Sequence, residues 1–332
     1  MSAFVYFSES TSGFPDLVLT RPNASAAICT LQYLNEGGAN VVFRIQPTPY
    51  QEPEHLPYPD TLIRLRKNLP HVQSAKKQLE AFKKEFRGLF PQQYFLKQGL
   101  VGVREGVAQR LNETLRLFDR RPAHRANDFL PEGEEFGLII DDMSVRNPGE
   151  VMVQIKPKWL AQSPNAPPNA KRCRTCALRA QRASKHIPTA TDSQDNCSLA
   201  LLSEQEVDRA RAAQSITTDP RLQDYLVHDA QELLRTLRLY QQRFDHDGVL
   251  IAENEGTIAD LCKAMTLRDC TLFLRRSGED VEAKLADLDM KQPGKMERWK
   301  QVERSLIEEG WYEHKEENSV WSAEKICLLS RK

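Results

Sequence analysis

Asp287 and Asp289 stand two residues apart and are followed by Lys291 and Lys295, four apart. That order sets carboxylate oxygens, which suit a hard cation, beside ammonium groups that hold phosphate. Asp269 comes earlier, in Thr266-Leu267-Arg268-Asp269-Cys270-Thr271, where a helical pattern turns directly into a strand. A carboxylate at the mouth of a strand is a good position for a catalytic acid or base, although Asp also favours such turns for its local hydrogen bonds. The stretch from Val151 to Thr191 adds eight cations and no acid in 41 residues, in a chain whose formal net charge is zero. It contains Lys156-Pro157-Lys158. Proline holds the backbone extended, so the two lysines are expected on one side of the chain, where they repel unless an anion lies between them. A phosphate-rich ligand fits; so does an exposed basic loop.

Two other groups could do chemistry. Glu36-Gly37-Gly38-Ala39-Asn40 lies between strand-like segments, and its backbone N–H groups can approach phosphate oxygens with no Cβ in the way; an ordinary hairpin turn fits the same residues. Cys173 and Cys176, with His186 and Cys197, have the ligand types for zinc but not a standard spacing, so a reduced, metal-free helical pair is the expectation.

These residues must be positioned by a chain of 332 residues, long enough for two lobes with sizeable cores. Hydrophobic residues at 40% and charged residues at 28% argue against wholesale disorder. No segment approaches 18 apolar residues and the start lacks a signal-peptide pattern, so a soluble intracellular protein of nucleus or cytoplasm is expected, without a membrane partner. Seven irregularly spaced cysteines point to reduced thiols. Nothing requires more than a monomer.

Residues 1 to 30 read as peripheral, with a short apolar run at Leu17-Val18-Leu19, and residues 46 to 60 as a Pro-rich loop. Val41 to Ile45 reads as a strand, and Thr61 to Lys67 alternates apolar and basic residues like a strand with one wet face. Ser74 is expected to cap a helix over Ala75 to Arg87, with a second helical segment near Val101 to Leu117. Phe136 to Ile140 is an apolar strand ending at Asp141-Asp142, and Val151 to Ile155 is another strand. Asp192 to Ser198 reads as a loop. Ser203 and Glu206 form a capping-box pattern. Leu222 to Phe244 reads as one amphipathic helix, with Leu226, Leu233, Leu234, Leu237 and Tyr240 as core. Ile258 to Met265 is helical, Val281 to Leu288 a strand, and Met296 to Glu309 a helix buried through Trp299, Val302, Leu306 and Ile307. The expected domains are 1–145 and 146–332.

Glu36 to Asn40, Ile155-Lys156-Pro157-Lys158, Cys173-Arg174-Thr175-Cys176, Arg268-Asp269-Cys270-Thr271 and Asp287-Leu288-Asp289 recur in this order in the inositol-pentakisphosphate 2-kinases, which the chain resembles over residues 30 to 312. The Arg64-Leu65-Arg66-Lys67 strand and the Trp299 helix make it similar to a fungal member. The resemblance implies an α+β, two-lobed fold distantly related to protein kinases, and transfer of the ATP γ-phosphate to the 2-hydroxyl of inositol 1,3,4,5,6-pentakisphosphate, giving the hexakisphosphate. It further implies that Gly37, Gly38, Ala39 and Asn40 cover the ATP phosphates, joined by Arg64. In a two-lobed kinase the chain crosses between lobes after a strand such as Phe136 to Ile140, which makes Asp141 and Asp142 nucleotide candidates. Lys156, Lys158, Arg174, Arg182, Lys291 and Lys295 would hold substrate phosphates. Asp269 would accept the hydroxyl proton, and Asp287, with Asp289, would hold Mg²⁺.

The sequence departs from the family pattern at Gln154, where Glu is usual, and at Ala177-Leu178-Arg179, where Met-His-Gln is usual. The family's Asn pair has only Gln241 and Gln242 as counterparts. The competing class is a binding protein without turnover, holding inositol phosphate or nucleic acid on the basic stretch. Nucleic acid is not expected, because Trp159 is the stretch's single aromatic platform.

Overall fold

The computed structural model describes residues 2–8, 28–47, 60–103, 105–185, 197–313 and 327–331. Leu17-Val18-Leu19, most of the Pro-rich loop, His186 and the first residues of the loop at Asp192 lie outside them. The chain divides into two compact units, Met1–Lys84 with Leu96–Asp142, and Glu85–Phe95 with Met143–Lys332. Antiparallel sheet and helix occur in both, an α+β architecture.

The first unit is a closed antiparallel barrel of β1 (Ser2–Ser8), β2 (Ile28–Glu36), β3 (Asn40–Pro47), β4 (Thr61–Arg66), β5 (Gln98–Val103) and β6 (Phe136–Asp141), in the order β1-β2-β3-β4-β6-β5. Pairing of Phe7 with Val103 and Ser8 with Gly102 closes it. Strand alternation sends Val41, Phe43 and Ile45 of β3 inward, where they meet Leu31, Ile63, Leu65, Val101 and Ile139. Cutting Phe43 to Ala would cost about 3–5 kcal/mol. Gly137 is needed for close packing: a Cβ there would lie 2.7 Å from Leu65 Cδ2. Helix α1 (Ala75–Ala81) starts at Ser74, whose hydroxyl accepts from Lys77 N–H, and continues as a π-helical turn over Phe82–Phe86. Helix α2 (Val107–Leu117) packs Val107, Leu111 and Leu115 on the barrel core.

Two expectations fail in this unit. The segment read as helical from Val101 begins as β5, and the helix starts at Val107. The Gly-rich run Gly99 to Gly102 pairs with β6 and Val103 with β1, and tertiary pairing overrides the helical spacing. The basic face of β4 is not wet. Arg64 is 8% exposed and Lys67 is fully buried, because acidic and amide partners of the same unit are folded over them.

The second unit holds a three-stranded antiparallel sheet, order β7-β8-β9, made of β7 (Val151–Ile155), β8 (Thr271–Ser277) and β9 (Asp280–Ala286). Its helices among the described residues are α3 (Arg174–Ser184), α4 (Glu206–Ile216), α5 (Pro220–Val227), α6 (Gln231–Arg243), α7 (Glu255–Asp269) and α8 (Met296–Glu308). The expected single helix from Leu222 to Phe244 breaks at His228–Ala230 into α5 and α6, although Leu226, Leu233, Leu234 and Leu237 are buried as the periodicity requires. Asp219 caps α5 through Leu222 N–H with Pro220 in its first turn. The capping box at Ser203 does not form. Gln205 is the cap residue of α4, and the Ser203 hydroxyl turns to Asp208 instead. Val302, Leu306 and Ile307 of α8 pack against Ala177 and Ala180 of α3, while Trp299 joins Val249, Ala252 and Leu261.

Candidate active site

The register of the second unit's sheet brings distant charges to one end of it. Ile155, the last residue of β7, faces Leu272 near the start of β8, and Ala286, the last residue of β9, faces Thr271. The residues just past these ends are therefore neighbours: Lys156 follows β7, Asp269 precedes β8 at the end of α7, and Asp287 follows β9.

Asp269 is the centre. One carboxylate oxygen lies 3.4 Å from Lys156 Nζ and 3.3 Å from Lys158 Nζ, and the other 2.5 Å from Lys291 Nζ. Lys156 also donates to the Asp269 backbone oxygen at 2.8 Å. Burial opposes the charge of Asp269, but Lys291, Lys156 and Lys158 hold its carboxyl well below the usual carboxylate range. Burial pushes the Lys158 ammonium down, partly offset by Asp269. Lys295 is likewise lowered, first by burial and then by Lys291. Asp287 sits 3.9 Å from Lys156 and accepts from the Thr271 hydroxyl at 2.5 Å, with half of its side chain exposed. Three ammonium groups thus face two carboxylates, which leaves a positive field at a partly open site.

The backbone is bent to make this cradle. Lys158 (φ 59°) and Asp287 (φ 57°) are both non-glycine residues in the left-handed region, a conformation costing on the order of 1–3 kcal/mol each. The expectation that proline keeps both lysines on an extended chain is therefore corrected: the chain turns at Lys158, and the ammonium groups converge through that turn. The anion between them is Asp269. Gln241 holds the turn. Fully buried, it accepts from Leu160 N–H at 3.0 Å and donates to the Lys158 carbonyl at 2.9 Å and the Leu267 carbonyl at 3.3 Å, so it ties the lysine turn to α7. Thr266 does the same for the last lysine, accepting from Lys291 N–H at 2.9 Å.

Behind the turn, Trp159 lies against two guanidinium groups, Arg268 at 3.4 Å and Arg174 at 4.3 Å from its ring centre. Arg268 pairs with buried Asp245 at 2.5 Å; burial, partly offset by Asp245, brings its guanidinium down to about 10. Arg174 is 5% exposed and donates to fully buried Glu303 at 2.8 Å. The same Glu303 accepts from Ser163 and Tyr312 hydroxyls at 2.6 and 2.7 Å. Arg182 is eight residues further along, half-buried on the last turn of α3. Asp289 is half-buried just past Asp287, and Gln154 is exposed on β7. The carboxylate oxygens of Asp287 and Asp289 are the hard donors here.

In the first unit, Gly37 to Asn40 form the tight connection from β2 to β3, closed by Gly37 N–H donating to the Asn40 carbonyl at 2.8 Å. Neither Gly37 nor Gly38 has a positive φ, and an added Cβ on Gly38 would touch nothing within 4 Å. The fold itself therefore does not demand glycine at either position. The loop stands on a buried charge cluster that spacing alone did not reveal: Glu36 pairs with Lys67 at 2.6 Å and Arg121 at 2.8 Å, and Lys67 pairs with Asp128 at 2.9 Å. Arg64 donates to Gln78 at 3.2 Å. At the end of β6, Asp141 accepts from Lys97 N–H at 2.8 Å, and Asp142 pairs with Arg44 at 3.4 Å.

The four cysteines Cys173, Cys176, Cys197 and Cys327 are gathered, buried, around the start of α3. The Cys173–Cys176 pair is thus part of a larger group, and Cys327, 151 residues from Cys176 along the chain, joins it only through the fold.

The sequence profile of the family described as inositol-pentakisphosphate 2-kinase matches residues 33–238 and 221–305. The inositol-pentakisphosphate 2-kinase of Yarrowia lipolytica (strain CLIB 122 / E 150) is 28% identical over 305 residues, which is 84% of this chain and 91% of the relative. The profile covers most of the chain, including every charged residue of the Asp269 cradle, and on that match the chain belongs to the inositol-pentakisphosphate 2-kinase family.

Proposed function

We propose that this chain transfers the γ-phosphoryl group of ATP to the 2-hydroxyl of inositol 1,3,4,5,6-pentakisphosphate, giving inositol hexakisphosphate and ADP. The observation that carries the reading is Asp269 held by Lys156, Lys158 and Lys291. An ionised carboxylate ringed by ammonium groups is a place where an anionic substrate can be exchanged in. The lysines turn from the carboxylate to substrate phosphates, each gaining charge-assisted hydrogen bonds, and Asp269 loses the charges that suppress its basicity. It then takes the proton of the hydroxyl as the oxygen–phosphorus bond forms and the bond to ADP breaks. Lys295 and Arg182 extend the positive field toward the remaining phosphates. Arg174 supports the lysine turn through Trp159.

Asp287 and Asp289 fit Mg²⁺: two acidic side chains offer hard oxygens, and the Thr271 hydroxyl fixes one of them. The ion supplies charge neutralisation on the nucleotide phosphates. Gly37, Gly38, Ala39 and Asn40 would offer backbone N–H groups to those phosphates, with Arg64 adding charge and Asp141 and Asp142 binding the nucleoside end. The glycines' lack of any conformational role in the fold supports this reading.

The test is incubation of the purified chain with Mg-ATP and the pentakisphosphate, with products separated by anion exchange. Wild type should form the hexakisphosphate and Asp269→Asn should not. Binding of the pentakisphosphate without conversion by wild type would leave a binding protein instead.

A further inference from the structure

The turn from Gly37 to Asn40 rests on buried charges that the chemistry above leaves without a task. Glu36, whose side chain is fully buried, takes two parallel bonds from Arg121, Nε at 2.8 Å and Nη2 at 3.1 Å. Its carboxylate also meets Lys67 Nζ at 2.6 Å and accepts from the Tyr33 hydroxyl at 3.2 Å. Burial opposes the charge of Glu36, but Arg121 and Lys67 hold its carboxyl below the ordinary value. Lys67 pairs in turn with Asp128 at 2.9 Å, so two cations balance two carboxylates. Such a cluster adds little net stability, because desolvation offsets most of the attraction. What it does fix is the turn.

Lys67 holds the turn at both ends. Its ammonium grips the Glu36 side chain, and its backbone N–H donates to the Ala39 carbonyl at 2.7 Å. Arg125 donates to the Glu36 carbonyl, and Gly37 N–H to the Asn40 carbonyl at 2.8 Å. The carbonyl oxygens of Glu36, Ala39 and Asn40 are thus taken by protein donors, whereas the N–H groups of Gly38 and Ala39 have no acceptor among the described residues. A phosphate is repelled by carbonyl oxygens and attracted by amide hydrogens, so this is the arrangement an anion needs. Arg121 secures the far side of the network. It donates to the carbonyls of Arg125, Ala126 and Asp128 at 2.8, 3.0 and 2.6 Å, which shapes the loop that carries Arg125 to the turn.

We propose that Lys67, Glu36 and Arg121 are positioning residues for the nucleotide: their ion network locks the turn with its carbonyls occupied and the Gly38 and Ala39 N–H groups open to the ATP phosphates. The inference rests on the reading, given above, that this turn covers those phosphates. The three side chains act through the backbone and not on the ligand. Glu36 is cancelled by its own partners, so the acid next to the turn adds no repulsion for a phosphate.

Calorimetry of the full chain with Mg-ATP, AMP and the pentakisphosphate tests this. Lys67→Met frees the Glu36 end of the turn and should weaken Mg-ATP by about 10- to 100-fold, AMP by less and the pentakisphosphate not at all. Lys67→Met combined with Glu36→Gln removes one charge of each sign, keeps the cluster neutral and should show the same selective loss; it carries the test if the single variant does not fold. Equal weakening of all three ligands would mean a purely structural role and overturns the proposal. Gly38→Asp reports on the turn itself, where a side chain has open space. It sets a carboxylate against the phosphates and should also weaken Mg-ATP. Wild-type Mg-ATP affinity in Gly38→Asp overturns the reading of the turn as the phosphate loop and this inference with it, as does a wild type that binds no Mg-ATP. Weak binding by Gly38→Asp, with wild-type affinity in both Lys67 variants, overturns the positioning role alone.

Discussion

Replacing Glu303 with Leu isolates the buried charge behind the lysine turn. Glu303 is fully buried and its two oxygens satisfy Arg174, Ser163 and Tyr312. Leu keeps an apolar side chain in the space but leaves the Arg174 guanidinium, 5% exposed, with its countercharge gone. Removing one partner of a buried ion pair costs about 3–5 kcal/mol, since the survivor has paid its desolvation and receives nothing back. In a cooperative unit of about 200 residues each kcal/mol moves Tm by about 2–4 °C, so Glu303→Leu should lower Tm by about 6–20 °C. Arg174→Met combined with Glu303→Leu removes both charges. The double variant should be at least about 2 kcal/mol more stable than the sum of the single losses. Urea and thermal unfolding of the four proteins give the cycle. A Glu303→Leu Tm within about 3 °C of wild type, or additive single losses, would refute the claim that this pair is coupled.

Three other outcomes follow from the site. Asp269 is held well below its ordinary value in the folded chain, so its contribution to stability is present above the ordinary carboxylate range and is lost progressively as the pH falls from there toward the depressed folded value; below about pH 4 the Tm gap between wild type and Asp269→Asn should therefore narrow steadily with falling pH, and parallel curves would count against the lysine cradle. Gln241→Ala removes three hydrogen bonds from the Lys158 turn and α7, which should cost about 1–3 kcal/mol in urea unfolding and lower kcat for inositol phosphorylation, with an unchanged kcat showing that the turn holds without it. Lys158→Ala should weaken pentakisphosphate binding by about 10- to 100-fold in calorimetry and flatten its dependence on salt, whereas wild-type affinity would take Lys158 out of the substrate contacts.

What the sequence disclosed was mostly local. The strands Phe136 to Ile140 and Val151 to Ile155, the Ser74 cap and the buried leucines of α5 and α6 all follow from periodicities that neighbouring residues decide. Barrel closure does not, because it depends on β1 finding β5 across about 95 residues, and nothing in either segment encodes the partner. The same limit explains Lys67 and Arg64. An alternating basic strand reads as half-wet unless one knows that Glu36, Asp128 and Gln78 fold over it.

The cradle was legible as a set of charges and illegible as a geometry. Lys156, Lys158, Asp269, Asp287 and Lys291 could each be singled out, yet their meeting depends on two antiparallel registers and on two left-handed residues whose strain no propensity favours. A strained backbone persists only where surrounding contacts over-determine it. Gln241 and Thr271 supply those contacts, and since neither is charged, nothing in their chemistry announces that role. Neutral residues thus fix the turns, the turns bring the lysines to Asp269, and the lysines set the acidity of the group at the centre. Neutral substitutions at Gln241 or Thr271 should therefore disturb Asp269 as surely as removing a lysine does.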